Sequence, residues 1–345
     1  MSANGSGGRA DGDHLPVAVD AMGGDEAPET IVRGAVDAAE NHGTPVLLVG
    51  DPDRLGDTNG LPVEPATEVV EMGADPAKAV RRLKDSSIVR AAEAVRDGRA
   101  SALLSAGNTG AAMAASLLRM GRMKGVARPA IAVPFPVLGS TPTTLLDCGA
   151  NADCQPEWLV QFARLGTAYA RHRFDLERPR VAILTIGEEA GKGNSMVKEA
   201  CELLEEPAWA DECGASYVGN LEGGDLMAGL ADVVVCDGFT GNVTLKSLEG
   251  GFDIFKSSTR RALAERPELA GLDDAVADAL DPLYDGVFNA SRTGAAMLLG
   301  TRGVTLIAHG SSSESTISNA IRTADEMARA GILHAIRQAV GAPAA

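Results

Sequence analysis

The chain has 345 residues, 45% hydrophobic and 3% aromatic, with 31 lysines and arginines against 47 aspartates and glutamates for a net charge of −16. That length fits one large α/β domain or two smaller ones, with apolar content enough for a sizeable core. The acidity excludes a nucleic-acid partner, and the scarcity of rings excludes a base-stacking platform.

Residues 1–14, MSANGSGGRADGDH, are rich in Gly, Ser and Asp and carry no apolar segment, so a disordered tail is expected rather than a signal peptide. Beyond them, short apolar runs predict strands at 16–22, 45–50, 67–72, 101–106, 130–136, 143–148, 180–186, 215–219, 232–237 and 304–310. Amphipathic stretches such as APETIVRGAVDAAENH and SMVKEACELLEE lie between several of them. Strands alternating with helices predict a three-layer α/β/α domain over 15–340 with a mostly parallel sheet. Residues 252–292 read as helices with an arginine-rich start and an acidic middle, a small helical arm appended to that domain. No apolar run reaches transmembrane length. The five cysteines form no C-x-x-C pair and have no histidine cluster nearby, which points to reduced thiols in a cytoplasmic protein.

Small polar segments trail the strands: GGDEAPE, GNTGA, GANADCQPE, GEEAGKGN, GNLEGGD, GFTGN and SSSES. Open α/β sheets bind ligands at the carboxyl ends of their strands, so Asn, Lys, Asp and His are expected to gather at one edge. RRLKDSS supplies Arg82, Ser86 and Ser87, an anion contact or a solvated helix face. SAGNTGA puts Gly107, Asn108 and Thr109 at a helix start, which is an anion seat or a plain cap.

LLDCGANADC carries Asp147, Asn151 and Asp153, but no fourth carboxylate at clear spacing, so no metal is expected. Cys154 in that stretch is an acyl nucleophile or, with no base beside it, a core thiol. TIGEEAGKGN fails as an ATP phosphate loop. It has three residues between Gly187 and Gly191 where four are needed, and Gly193 where a hydroxyl residue would bind Mg²⁺. Its glycines still let backbone N–H groups approach an anion, and Lys192 adds a charge; the bland alternative is an ordinary strand-to-helix turn. Asn242 in GFTGN caps a helix or donates to an oxyanion, and His309 ends a strand before a serine-rich helix start. A dinucleotide fingerprint and a nucleophile elbow are both absent, so no nucleotide is expected.

Taken in order, VAVDAMGGDEAPE, AVRRLKDSS, SAGNTGA, LDCGANADCQPEWLVQFA, IGEEAGKGN, YVGNLEGGD, VCDGFTGNV and AHGSSS make the chain resemble the phosphate acyltransferases of bacterial phospholipid synthesis. The resemblance implies an isopropylmalate-dehydrogenase-like α/β fold and transfer of a fatty acyl group from acyl carrier protein to inorganic phosphate. It also implies no metal or nucleotide cofactor, a homodimer, and loose association with the inner face of the cell membrane. The acyl phosphate would pass to a membrane glycerol-phosphate acyltransferase. Two features depart from the pattern: the acidic middle of 252–292, which anionic lipid would repel, and the extra serines after His309.

Phosphate is already an anion and thiolate a fair leaving group, so direct attack without an acyl-enzyme is the expected chemistry. In that scheme Lys192 neutralises phosphate or oxyanion, Asn242 donates to the thioester carbonyl or orients phosphate, and His309 protonates sulfur. Asp20 and Asp147 orient the partners. RMGRMKGVAR offers Arg119, Arg122, Lys124 and Arg128 as a docking surface for the acidic carrier, or as cations dressing a helix end. The alternatives are a phosphate transferase for short acyl-CoA, a metal- and NAD-dependent decarboxylating dehydrogenase, and a catalytically dead scaffold.

Overall fold

The computed structural model describes residues 14–266 and 295–341. The amino-terminal half contains β1 (Val17–Asp20), α1 (Glu29–Glu40), β2 (Val46–Gly50), β3 (Val63–Pro65), α2 (Pro76–Arg82), α3 (Ser87–Arg96), β4 (Ala102–Ser105) and α4 (Thr109–Ala115), the last running on through a π turn at Ser116–Met120. Then come β5 (Ala130–Phe135), β6 (Thr143–Leu146), α5 (Pro156–Phe174), β7 (Arg180–Leu184), α6 (Ser195–Glu205), α7 (Pro207–Cys213), β8 (Ser216–Leu221) and β9 (Val233–Val235). The long α8 (Gly238–Ala264), β10 (Ala296–Leu299), β11 (Val304–Ile307), α9 (Glu314–Arg329) and α10 (Ile332–Ala339) complete the described chain.

Among the described residues the strands form one eleven-stranded sheet, ordered β3-β2-β1-β4-β11-β10-β5-β6-β9-β7-β8. β10 runs antiparallel to both β11 and β5, and β5 antiparallel to β6; the other pairings are parallel. The sheet therefore has two halves of opposite direction. Loops after β1, β4 and β11 leave at one edge, and loops after β6, β7 and β9 leave at the other. This corrects the expectation of a single collecting edge, because the antiparallel strands in the middle turn half of the sheet around.

Strand residues alternate between two cores, as the two-residue period of a strand requires. Val17, Leu48, Leu104, Ile183 and Val235 pack with α1, α5, α9 and α10 on one face. Ala18, Val49, Leu103, Leu145 and Val234 pack with α3, α4 and the inner side of α8 on the other. A sheet covered on both faces explains why the strands read as continuous apolar runs, and each fully buried leucine or isoleucine contributes about 2 kcal/mol.

Three local differences from the sequence reading have physical causes. Residues 67–72 are not a strand: Thr67 N and Oγ1 both donate to the Asp85 carboxylate (3.0 and 2.7 Å), and Glu68 bridges to Ser86. That ties the segment to the start of α3, and the short β3 takes the place beside β2. β10 escaped notice because AMLL has no period that separates strand from helix. Residues 252–264 continue the helix that began at Gly238, and the rest of the expected arm, like residues 1–13, lies outside the described residues. Among the described residues no helix is long and apolar enough to cross a membrane.

Candidate active site

A groove of about 550 Å³ runs between α8 and the sheet where the two halves meet. Ile131, Val133 and Phe135, alternate residues of β5, give it an apolar floor together with Ile307. Asn242, Leu245, Lys246 and Glu249 line it from one side of α8, at the three- and four-residue spacing that shares a helix face. Ser105 and Ile307 are register partners, so Gly107 and His309, two residues further on, leave side by side at one end. Cys148 N donates to Ile131 O (3.0 Å) and marks the other end, four residues down β5 from Phe135. At roughly 3.3 Å per residue the ends are about 13 Å apart.

At the Cys148 end a buried carboxylate shapes the backbone. Asp147 Oδ1 accepts from Ile131 N (2.9 Å) and Ala150 N (3.0 Å), and Oδ2 accepts from Asn151 N (2.7 Å) and Nδ2 (2.9 Å). Both oxygens are thus committed to the turn. Burial pushes this carboxyl above its ordinary value, and the four N–H donors oppose that rise. Asn151 also donates to Pro129 O (2.8 Å). The first turn of α8 lies directly on this turn: a Cβ at Gly241 would fall 2.0 Å from Asp147 O, and one at Gly238 would fall 2.6 Å from Asn151 O. Asp237 caps the helix through Thr240 N (2.8 Å). These glycines bring Asn242 over Gly149, where its Oδ1 is 3.4 Å from an ideal Cβ.

At the other end, Gly107, Thr109, Asp25, His309 and Ser311 line the groove. Asn108 caps α4 by accepting from Ala111 N (3.0 Å), and its amide donates to Met72 O (2.7 Å), so its side chain is spent on structure. Ser311 N donates to His309 Nδ1 (3.3 Å), with Ser311 Oγ 2.8 Å from the same nitrogen. A backbone N–H needs a lone pair there, which leaves the neutral ring's proton on Nε2. His309 in this pose is an Nε2–H donor.

The other residues singled out in the sequence stand elsewhere. Asp20, Ser86 and Ser87 are buried behind the Gly107 turn, and Ser86 Oγ donates to Leu83 O (2.8 Å). Arg82 is exposed on α2 and does not line the groove. Lys192, with its side chain 48% exposed, follows β7 at the opposite edge from Gly107 and His309, 3.7 Å from Glu189. Its loop is a capped strand-to-helix turn, with Asn194 accepting from Val197 N (2.9 Å). Arg119 is held by Glu93 (3.6 Å) and Val80 O (3.2 Å), Arg122 bonds Ala127 O, and Arg128 lies 4.8 Å from the Trp158 ring centre. Arg122, Lys124 and Arg128 are exposed.

Lys246 and Lys256 line the groove and were missed. Lys246 was within reach of the sequence, because it stands four residues after Asn242 in one helix. Burial raises all five thiols, Cys154 to about 12 and the groove-lining Cys148 well above its ordinary value.

The α/β fold is shared with phosphotransacylases. A phosphotransacetylase from Streptococcus pyogenes superposes with a TM-score of 0.61 at 18% identity, over 92% of this chain and 94% of that one. A branched-chain phosphotransacylase from Enterococcus faecalis gives 0.57 at 16%, over 91% and 99%. At these identities the likeness is one of fold. The family model of the fatty acid synthesis proteins matches residues 15–335. Phosphate acyltransferases from Pelotomaculum thermopropionicum and Myxococcus xanthus are each 44% identical, over 94% and 96% of this chain and 95% of each relative. The chain belongs to the fatty acid synthesis protein family.

Proposed function

We infer that this protein transfers a fatty acyl group from acyl carrier protein to inorganic phosphate, forming acyl phosphate and free carrier thiol. The observation that carries the reading is a groove with an apolar floor, an amide donor at one end, donors at the other, and Lys246 one turn along α8 from the amide, 2.7 Å from Glu249. A thioester carbonyl, an attacking phosphate and one donor on each side span about the 13 Å available. Asn242 donates to the carbonyl oxygen. The Gly107–Thr109 turn and His309 Nε2–H seat phosphate, Lys246 offsets the gathering negative charge, and the acyl chain lies on Ile131, Val133 and Phe135.

A phosphate oxygen attacks the carbonyl carbon, the C–S bond breaks as the tetrahedral oxyanion collapses, and the carrier sulfur leaves as thiolate and takes a proton. Pre-placed donors and proximity supply most of the acceleration. The raised thiols, above all the groove-lining Cys148, support direct attack over an acyl-enzyme.

The resemblance to the family supports a cytoplasmic homodimer that hands its product to a glycerol-phosphate acyltransferase. Peripheral membrane contact fits the far end of α8, where Ile254 and Phe255 are 70% and 58% exposed just before Arg260 and Arg261. Arg122, Lys124 and Arg128 are the docking surface for the acidic carrier. The functional test is to incubate the protein with acyl-carrier thioester and phosphate and trap the product with hydroxylamine. Phosphate-dependent acyl hydroxamate is expected. Acyl hydroxamate from acetyl-CoA alone, or acyl label retained on the protein, would contradict the reading.

A further inference from the structure

Asp20 ends β1, is 3% exposed, and touches three elements at once. Ser105 Oγ, at the end of β4, donates to Asp20 Oδ2 at 2.7 Å. Ser105 Oγ in turn accepts from Gly107 N at 3.1 Å. Ser105 has one hydroxyl proton, and Asp20 takes it, so a lone pair is left for Gly107. Ser87, the first residue of α3, and the N–H groups of Met22 and Gly23 flank the same carboxyl. Gly23 completes the contact: a Cβ there would stand 2.6 Å from Asp20 Oδ2 and 2.9 Å from Gly107 N. Asp20 Oδ1 has no hydrogen-bond partner, and Asp20, Ser87, Ser105 and Gly107 line a cavity of about 10 Å³, room for one water-sized molecule.

Asp20 lines this cavity and not the groove, so it does not touch substrate. We propose that Asp20 is a positioning residue: as a buried acceptor it orients the Ser105 hydroxyl, which holds the Gly107 turn in the shape that forms one end of the groove. The role needs an acceptor oxygen, not a charge. Oδ1 makes no hydrogen bond, so an asparagine with its amide nitrogen there keeps the oxygen that accepts from Ser105. This sets Asp20 apart from Asp147, where N–H donors surround both oxygens and an amide would be repelled. The inference rests on the reading of the Gly107 turn as a phosphate seat.

The test compares Asp20→Asn, Asp20→Ala, Ser105→Ala and Asp20→Ala/Ser105→Ala in the full chain. The readouts are kcat/KM for phosphate and hydrogen exchange of peptides covering 103–112. Asp20→Asn should stay within about threefold of the parent. Asp20→Ala and Ser105→Ala should each lose about tenfold or more in kcat/KM for phosphate, since small misplacements of a seat are costly. The double variant should lose no more than the worse single, because the two side chains act as one unit. Exchange at Gly107 should quicken in Asp20→Ala and not in Asp20→Asn.

An Asp20→Asn variant as impaired as Asp20→Ala would overturn the proposal, since the charge itself would then matter. So would near-parent rates in both Asp20→Ala and Ser105→Ala, or additive losses in the double variant. If Asp20→Ala does not fold, Ser105→Ala against Asp20→Asn still decides. If the parent makes no acyl phosphate, the functional reading fails on its own, and the exchange of Gly107 in Asp20→Ala judges the brace separately.

Discussion

Asn242 and Lys246 sit one turn apart on α8 and project into the same groove. With Asn242 donating to the developing oxyanion, Asn242→Ala should lower kcat by about 10²-fold with little change in stability, as loss of one oxyanion donor does elsewhere. Lys246→Ala should raise KM for phosphate more than KM for the thioester. Steady-state kinetics with both substrates varied separate these outcomes, and an Asn242→Ala enzyme of parental kcat would remove the amide from the mechanism.

Asp20 makes a second prediction at this scale. Burial raises its carboxyl, and the groups facing it from β4, α3 and the turn after β1 are uncharged: Ser105, Ser87 and the N–H groups of Met22 and Gly23. The folded chain therefore keeps this proton at pH values where the unfolded chain, with a pKa of about 3.9, has released it. The stability from this group is full below that pH and declines as pH rises towards the folded value. Asp20→Asn cannot titrate, so the urea midpoint of the parent relative to the variant should fall as pH rises above about 4. A difference independent of pH would contradict the shift.

At the scale of elements, α8 is the part on which the groove depends, and its first turn is placed by glycine. Gly241→Ala would set a methyl group 2.0 Å from Asp147 O, so the helix start must lift off the turn. Overpacking of this kind costs about 1–3 kcal/mol, and Asn242 would move with the helix. Denaturant unfolding should show that loss, and activity should fall further than the stability alone explains. A variant with parental midpoint and rate would mean the first turn has slack that the geometry denies.

Legibility also divides by element. Nine of the ten expected strands are present, because a sheet covered on both faces writes itself as apolar runs that need no partner to be recognised. The tenth, 67–72, failed because Thr67 and Glu68 bond Asp85 and Ser86 far along the chain, which no local pattern announces. The polar motifs were visible, but their direction was not. Lys192 and His309 each follow a strand and read alike, yet the antiparallel β10 and β5 send them to opposite edges. Asp20, Ser87 and Asp147 read as ligand contacts because a buried carboxylate at a strand end, or a buried serine at a helix start, looks the same in sequence whether it faces a substrate or a backbone turn.

For the whole molecule, the net charge of −16 is the setting for carrier docking. An acidic carrier approaching an acidic protein needs a local cationic surface, and Arg122 and Lys124 are exposed on the loop leading into β5. Reversing both to glutamate should raise KM for the acyl carrier about tenfold at low salt while leaving KM for phosphate unchanged. The difference from the parent should shrink as ionic strength rises and screening takes over. Equal affinity at low salt would place the docking surface elsewhere.

The central claim is that thioester and phosphate meet in the groove beneath α8. The most direct measurement is a crystal structure with inorganic phosphate and a non-cleavable thioether analogue of the acyl carrier. The account predicts phosphate density against the Gly107–Thr109 turn and His309, with the acyl chain over Ile131 and Val133. Phosphate in the Gly191–Gly193 loop beside Lys192 of the same chain, with the groove unvisited by the acyl chain, would contradict it.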